Sequence, residues 1–427
     1  MRGAVLNRYL GNKTELLDAI MEVAGRYCPP GAKVCDIFSG TLSVALEFKR
    51  RGYAVIANDI NPFSEVIGDA LLVNNEVPPV EWDVLLPHVD PAPFRRQANA
   101  ATVDLAGNPG FSLLRQEPQR ARYAELLSLV AYLEQLRPEA VPQEWRRSDI
   151  FDTYTEGGAN SAFVSRRGQS GRRRYFSDAN GRHIDAVLSQ IRAWWRQDLL
   201  SPSLYAVLTC GLLRAVEKVS NTQGTYHDFP REYIDPRAFG RLVFDPLPLD
   251  TISSGGDHLV GRSEDSLEFI KRAPEHDLIY IDPPYNFRQY TSYYFLPNLL
   301  ARYARIDDLD EYFANVRYVR GQNMEDDFVS PFCRKAEFLN ALGTLIQDAR
   351  SRYVLLSYFD GRNHWNDFKS EANGVGYEKL KDFFSSNLFK PGSMTVVPVS
   401  RTNYQSYGGY KARGVVEFLF VAEKAGS

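Results

Sequence analysis

Leu278-Ile279-Tyr280-Ile281-Asp282-Pro283-Pro284-Tyr285 is an apolar run that stops at an acid and two prolines. Its length and β-rich content predict a short buried strand. The prolines end it in a rigid turn, because proline fixes φ and has no N–H to give a ladder. In an open α/β sheet, ligands bind beyond the carboxyl ends of the strands. The turn therefore offers a carboxylate, free backbone carbonyls, a rigid wall and an aromatic ring at one point. A planar base with an exocyclic amine matches that set. The carboxylate and a carbonyl accept the two amine hydrogens, and the ring stacks on the base. Asp-Pro-Pro is also ordinary turn chemistry, so the rest of the chain has to weigh in.

Other segments extend the sheet. Val34–Phe38 reads as a buried strand, followed by Ser39-Gly40-Thr41 and a helical pattern over Leu42–Arg51. Tyr53–Ala57 is a second strand, ending at Asn58-Asp59. Strand, loop, helix and strand in that order form a right-handed βαβ unit. Pro78, Pro79, Pro87, Pro91 and Pro93 then interrupt the pattern. From there to about residue 250 the chain reads as mainly helical, with Ala121–Leu136 and His183–Trp195 as examples.

Ser253-Ser254-Gly255-Gly256 marks the return to strand-like runs: Asp277–Ile281, Tyr353–Ser357, Met394–Val399 and Val415–Val421. Arg334–Ala349 is a helix between two of them, whereas the last two runs lack room for a crossover and pair antiparallel. The expected organisation is one split α/β domain, residues 1–84 and 253–427, carrying an insert over residues 85–252.

The 427 residues suffice for a large core and two to three domains. A composition 44% hydrophobic and 24% charged is that of a globular protein. No run approaches the ~18 apolar residues of a membrane span, and no leader pattern opens the chain. A cytoplasmic protein is the expectation. Cys28, Cys35, Cys210 and Cys333 lack CxxC spacing, which speaks for buried thiols and against zinc or a disulfide framework. A net charge of −3 gives no global sign of a nucleic-acid partner. Arg166, Arg167, Arg172, Arg173 and Arg174 are nevertheless clustered, and such a run is either a solvated loop or a local phosphate-binding patch.

Gly40, in the first βα turn, allows close backbone approach to a ligand, although Phe38–Ser43 does not have GxGxxG spacing. Asp59 ends the second strand, where an acid accepts from ribose hydroxyls or caps the helix that starts near Pro62. Asn7-Arg8-Tyr9-Leu10-Gly11-Asn12-Lys13 places an aromatic ring and a lysine beside a glycine, suited to clamping an amino-acid carboxylate.

Taken in order, RYLGNK, DIFSGT, NDIN, a long insert and DPPYN resemble the Dam-like alpha group of S-adenosylmethionine-dependent DNA adenine-N6 methyltransferases. Ser330–Leu342, Leu355–Tyr358, Arg401-Thr402-Asn403-Tyr404, Tyr175–Gly181 and Asn221-Thr222-Gln223-Gly224-Thr225-Tyr226 also look family-like. The resemblance implies a Rossmann-like methyltransferase sheet, mostly parallel with an antiparallel last strand, and a mainly helical target-recognition insert. It implies a cofactor site of Tyr9, Lys13, Asp36, Phe38, Gly40, Thr41, Asp59, Asp265 and Asp282. Asp282, Pro283, Pro284 and Tyr285 would hold a flipped-out adenine, and no metal enters.

Arg166, Arg167, Arg172, Arg173, Arg174, Asn221, Thr225 and Arg288 are the expected contacts to double-stranded DNA, with a cognate restriction enzyme as a further partner. For Tyr280, Tyr290, Tyr293 and Tyr294, core packing is expected. Leu42 departs from the family, many members of which have glycine there. The rival readings are a cytosine-N4 or RNA adenine methyltransferase, a non-catalytic DNA-binding protein on the same fold and, more distantly, a dinucleotide oxidoreductase.

Overall fold

The computed structural model describes residues 5–6, 8–222, 224–247, 256–361, 363–366, 373–403 and 413–426. Asn7, Gln223, Ser253, Ser254, Gly255 and Tyr404, named in the motifs above, lie outside the described residues. The described strands are β1 (Lys33–Asp36), β2 (Ala54–Ala57), β3 (Ala162–Val164), β4 (Ser170–Arg172), β5 (Leu259–Val260), β6 (His276–Ile281), β7 (Ser351–Phe359), β8 (Thr395–Asn403) and β9 (Arg413–Glu423).

Seven of them form one sheet in the order β5-β2-β1-β6-β7-β9-β8. The first five are parallel neighbours, and β9 lies antiparallel between β7 and β8. This is a Rossmann-like sheet, mostly parallel with an antiparallel strand near its end. Parallel strands are covered on both faces, which is why β2 and the Leu278–Ile281 part of β6 are continuously apolar and β1 is buried over Val34–Asp36. Pro398 fits in β8 because that strand is an edge, where a missing N–H leaves no ladder bond unmade. The strand order reverses at β1 and β6, where Val34, Cys35 and Asp36 pair with Leu278, Ile279 and Tyr280. That is the switch point at which an open sheet parts its loops.

Helices cover the sheet. In Phe338–Asp348 the buried positions Phe338, Ala341, Leu342, Leu345 and Ile346 recur at helical spacing. They join Cys35, Ile279, Val354 and Phe420 from the sheet in one core cluster. The four cysteines are free and buried.

The chain divides into two compact units, one comprising Arg2–Gly68, Gly255–Tyr293 and Phe328–Ser427, the other Asp69–Ser254 and Tyr294–Asp327. The first holds the seven-stranded sheet. The second is mainly helical, with long helices at Gln119–Gln135, Asp178–Arg196 and Pro202–Val219, and carries the β3–β4 hairpin. Its boundaries differ from the 85–252 span expected from the proline-rich stretch, because residues 69–84 and 294–327 belong to it. Backbone carbonyls of the latter segment are bound by its arginines. Arg192 donates to the carbonyls of Tyr303 and Ile306, and Arg173 to those of Tyr318 and Val319. Nothing in the composition of 294–327 marks that attachment.

Leu342→Ala empties a fully buried site under the sheet and is expected to lower stability by about 2–5 kcal/mol. A denaturant melt within 0.5 kcal/mol of wild type, on the order of a surface substitution, would show that this helix does not seal the core.

Candidate active site

Asp36 ends β1, Asp59 follows β2 by two residues, and Asp282 follows β6 directly. The parallel register brings their loops to the same edge of the sheet, around one cleft. Tyr9, Lys13, Asp36, Phe38, Gly40, Thr41, Asp59, Asp265, Asp282, Pro283, Pro284 and Tyr285 all line it.

The turn after β1 is built around Asp59. Its Oδ2 accepts the Gly40 N–H at 2.8 Å, and its Oδ1 accepts the backbone and side-chain N–H groups of Asn61 at 2.9 and 2.7 Å. Ser64 donates to the Gly40 carbonyl at 2.5 Å. Gly40 has φ +49°, and an added Cβ would lie 2.7 Å from the Tyr9 ring. Glycine is thus required twice, by conformation and by the packed ring. Leu42 caps the following helix at φ +59°, a left-handed position where the family's glycine would be unstrained. Thr41 Oγ1 is hydrogen-bonded to Ser43 Oγ at 3.0 Å, and Asp265 caps its helix by accepting from the Leu267 N–H. Asp59 therefore has capacity for a further donor but is already a loop anchor.

Asp36 is buried, and its Oδ1 has no hydrogen-bond partner among the described residues. Burial raises its pKa well above the usual carboxylate range, and the charges of Asp282 and Asp59 add to the rise. Burial also raises Asp59, against the hydrogen bonds from Asn61 and Gly40. The Tyr280 hydroxyl, another buried and unpartnered group, lines the same cleft. A ligand that brings N–H or O–H donors suits these acceptors.

Lys13, read as a clamp for a ligand carboxylate, places its ammonium 2.9 Å from Asp282 Oδ1 and 2.8 Å from Glu417 Oε1. Glu417, on β9, is fully buried and also bound by Ser357 Oγ at 2.7 Å and Arg401 Nε at 2.6 Å. Burial opposes the charge of Lys13, but Asp282 and Glu417 outweigh it and hold its pKa well above normal. Burial pushes Asp282 up to about 6, with Lys13 opposing the rise and Glu417 adding to it. Burial works against Glu417 too, yet Lys13 and Arg401 hold it down to about 2. Glu417 escaped the sequence reading; a single acid inside the apolar run VVEFLFV was its signal. Ser357 and Arg401 lie in segments that looked family-like.

Aromatic rings finish the walls. Tyr285 meets Tyr358 edge-on at 5.8 Å, and the His364 N–H donates to the Tyr285 carbonyl. Phe38 packs edge-on against Phe332 at 5.0 Å. Tyr290, expected in the core, lines the cleft against Tyr9 at 5.8 Å.

The expected DNA contacts separate into two kinds. Arg166 and Arg167 are exposed at the turn of the β3–β4 hairpin. Arg173 is buried, and its guanidinium donates to the carbonyls of Thr153, Asn160, Tyr318 and Val319. Asn221 is also buried, donating to the Arg174 carbonyl and accepting from the Asp235 N–H. Both hold loops together, which corrects their reading as DNA contacts. Arg172 donates to the carbonyls of Glu156 and Gly158, and Arg174 pairs with Glu156 at 2.6 Å. Thr225 is buried and accepts from the His227 N–H. Arg288, in the sheet unit, is half-buried with its Cζ 5.8 Å from the Tyr293 ring.

A family model described as D12 class N6 adenine-specific DNA methyltransferase matches residues 9–119 and 124–342. The chain is 28% identical to the type II methyltransferase M.FokI of Planomicrobium okeanokoites over 98% of its own length and 52% of that protein. It is 27% identical to the modification methylase LlaI of Lactococcus lactis subsp. lactis, covering 82% of this chain and 46% of that one. Identity to the type II methyltransferase M.NlaIII of Neisseria lactamica is 28%, over 82% of each. The chain thus spans about half the length of the first two of these relatives.

Gly40→Ala forces a Cβ into the Tyr9 ring at a left-handed φ, and we expect a loss of about 1–2 kcal/mol or more on chemical denaturation. Unchanged stability would mean that the turn rearranges freely and that Asp59 does not fix it.

Proposed function

Given that the chain belongs to the D12 class of N6 adenine-specific DNA methyltransferases, we propose that it transfers a methyl group from S-adenosylmethionine to N6 of an adenine flipped out of duplex DNA. The observation that carries this reading is Asp282-Pro283-Pro284-Tyr285 opening from β6 into the cleft lined by Asp36, Gly40 and Asp59. The charge of the cleft suits the cofactor. Asp36, Asp59, Glu264, Asp265 and Asp282 line it, against Lys13 as the cation among its described lining residues. S-adenosylmethionine brings two cationic centres together with hydroxyl and amine donors, and the unpartnered Asp36 Oδ1 is an acceptor for one of them. When bound, it supplies an electrophilic methyl on a sulfonium.

Tyr9, Lys13, Asp36, Phe38, Gly40, Thr41, Asp59, Asp265 and Asp282 are the residues assigned to hold it. Asp59 and the Gly40 turn present the ribose side, and Asp36 presents an acceptor. Lys13 acts through Asp282.

The adenine N6 lone pair is delocalised into the ring and is a weak nucleophile. Asp282 and the Pro283 carbonyl accept its two N–H bonds, Pro284 keeps the turn rigid, and Tyr285 stacks on the base. Acceptors placed this way favour a pyramidal nitrogen and become stronger partners as positive charge develops on it. Extruding the base costs a few kcal/mol, which the pocket contacts offset. The helical unit is assigned to target recognition, with Arg166 and Arg167 contacting phosphates. A restriction enzyme of the same specificity is the proposed partner and the cytoplasm the proposed location. No helix among the described residues is long and apolar enough to cross a membrane.

The test incubates the protein with S-adenosylmethionine and mixed-sequence duplex DNA, then quantifies methylated nucleosides by mass spectrometry. N6-methyladenine is expected from wild type, with Asp282→Ala lowering the rate on the order of a hundredfold or more. N4-methylcytosine, or no modified base, would refute the adenine assignment. Asp282 accepts hydrogen bonds as the carboxylate, and its pKa is raised to about 6. The rate should therefore be full well above pH 6 and fall as pH drops through that value. A rate constant down to pH 4.5 would remove the carboxylate from the mechanism.

A further inference from the structure

Asp282 is tied into a chain of charged groups of which the methyl-transfer reading uses only Lys13. Lys13 sits between two carboxylates at nearly equal distances, 2.9 Å from Asp282 and 2.8 Å from Glu417. Arg401 binds the other oxygen of Glu417, Oε2, at 2.6 Å, while Ser357 donates at 2.7 Å to Oε1, the oxygen that Lys13 engages. Two acids and two cations balance in charge, but they are not interchangeable. Lys13 touches both acids, whereas Arg401 closes on Glu417.

An ammonium with one buried carboxylate as its neighbour collapses onto it, since the attraction grows as the site is desolvated. Glu417 prevents that collapse by competing for the same ammonium. Lys13 engages Oδ1 of Asp282, which leaves Oδ2 to accept from a substrate amine.

We infer that Glu417 and Arg401 are positioning residues that set how far Lys13 is committed to Asp282, and so how available that carboxylate is to its substrate. The inference rests on adenine methylation as the reaction. It concerns residues of β8 and β9, the antiparallel end of the sheet, which lie behind Lys13 and outside the cleft lining. A lone glutamate in an apolar strand is costly to bury, and a role in tuning the neighbouring site accounts for its presence there.

The charged or titratable groups that face Asp282 are Lys13 from the N-terminal loop, Asp36 from β1, Tyr280 and Tyr285 from β6 and its turn, Arg401 from β8 and Glu417 from β9. Glu417 raises the pKa of Asp282, whereas Lys13 and Arg401 lower it. Neutralising either member of the Glu417–Arg401 pair therefore moves Asp282 in opposite directions, a result that simple loss of packing does not produce.

The experiment measures kcat and the KM for duplex DNA against pH for wild type, Glu417→Gln and Arg401→Gln, with thermal melts to confirm folding. For Glu417→Gln the acid limb of kcat should move down by about one pH unit, with kcat falling about tenfold and KM little changed. For Arg401→Gln the limb should move up. Limbs that stay in place, or that move in the same direction, in folded proteins overturn the inference. If Glu417→Gln does not fold, Arg401→Gln decides alone, since Arg401 is 15% exposed and its removal leaves Lys13 to neutralise Glu417. Wild type that makes no N6-methyladenine overturns the functional reading, and this inference with it. An active wild type with an unmoved limb overturns this inference alone.

Discussion

Burying several acids in one cleft is the constraint on which the rest of this structure depends. Asp36, Asp59 and Asp282 cluster where β1, β2 and β6 end, and desolvation alone would favour protonating each of them. The chain meets that cost differently at each acid. Asp59 is surrounded by N–H donors and becomes the pin of a turn. Asp282 is given an ammonium. Asp36 is left with an orphan oxygen and a raised pKa, and so it is the acid a donor-bearing ligand stabilises most. Electrostatic stress left in the protein becomes affinity when a cation or donor arrives.

The sheet explains why the stress collects there. Parallel strands send all their carboxyl ends to one edge, and the order reverses between β1 and β6, so the loops on either side diverge and leave a space. The antiparallel β9 then passes beside β7 and aligns Glu417 with Phe359 and Val399. The final antiparallel pair thus completes the sheet and also delivers a buried acid and a half-buried arginine to the back of the site.

Much of this was legible. A buried strand that ends in Asp-Pro-Pro-Tyr, a βα turn with glycine, and an acid after the next strand are local patterns, and local patterns survive folding. The cleft gathers every residue read as cofactor-binding or catalytic. Glu417, Ser357 and Arg401 were not read as site residues because they meet across β7, β8 and β9, with β7 dozens of residues before the other two, and a strand's charge reveals nothing of its partner. Lys13 was read as a ligand's counter-ion for the same reason. The extension of the helical unit into residues 294–327 depends on arginine-to-carbonyl contacts, which leave no compositional trace.

The arginine cluster shows how far a charge run can mislead. Arg172, Arg173 and Arg174 are consecutive, yet β4 ends at Arg172 and the three side chains meet different partners. Arg173 turns inward and spends its donors on four backbone carbonyls, while Arg174 meets Glu156. A guanidinium so engaged has little left for a phosphate, because a new contact must first break bonds made in a desolvated setting. Phosphate binding draws on cations that give up only water and counterions. In this cluster that description fits Arg166 and Arg167, at the exposed turn between β3 and β4. The electrostatic footprint of the run is therefore smaller than its length in the sequence suggests, and its position at a hairpin tip matters more than its count.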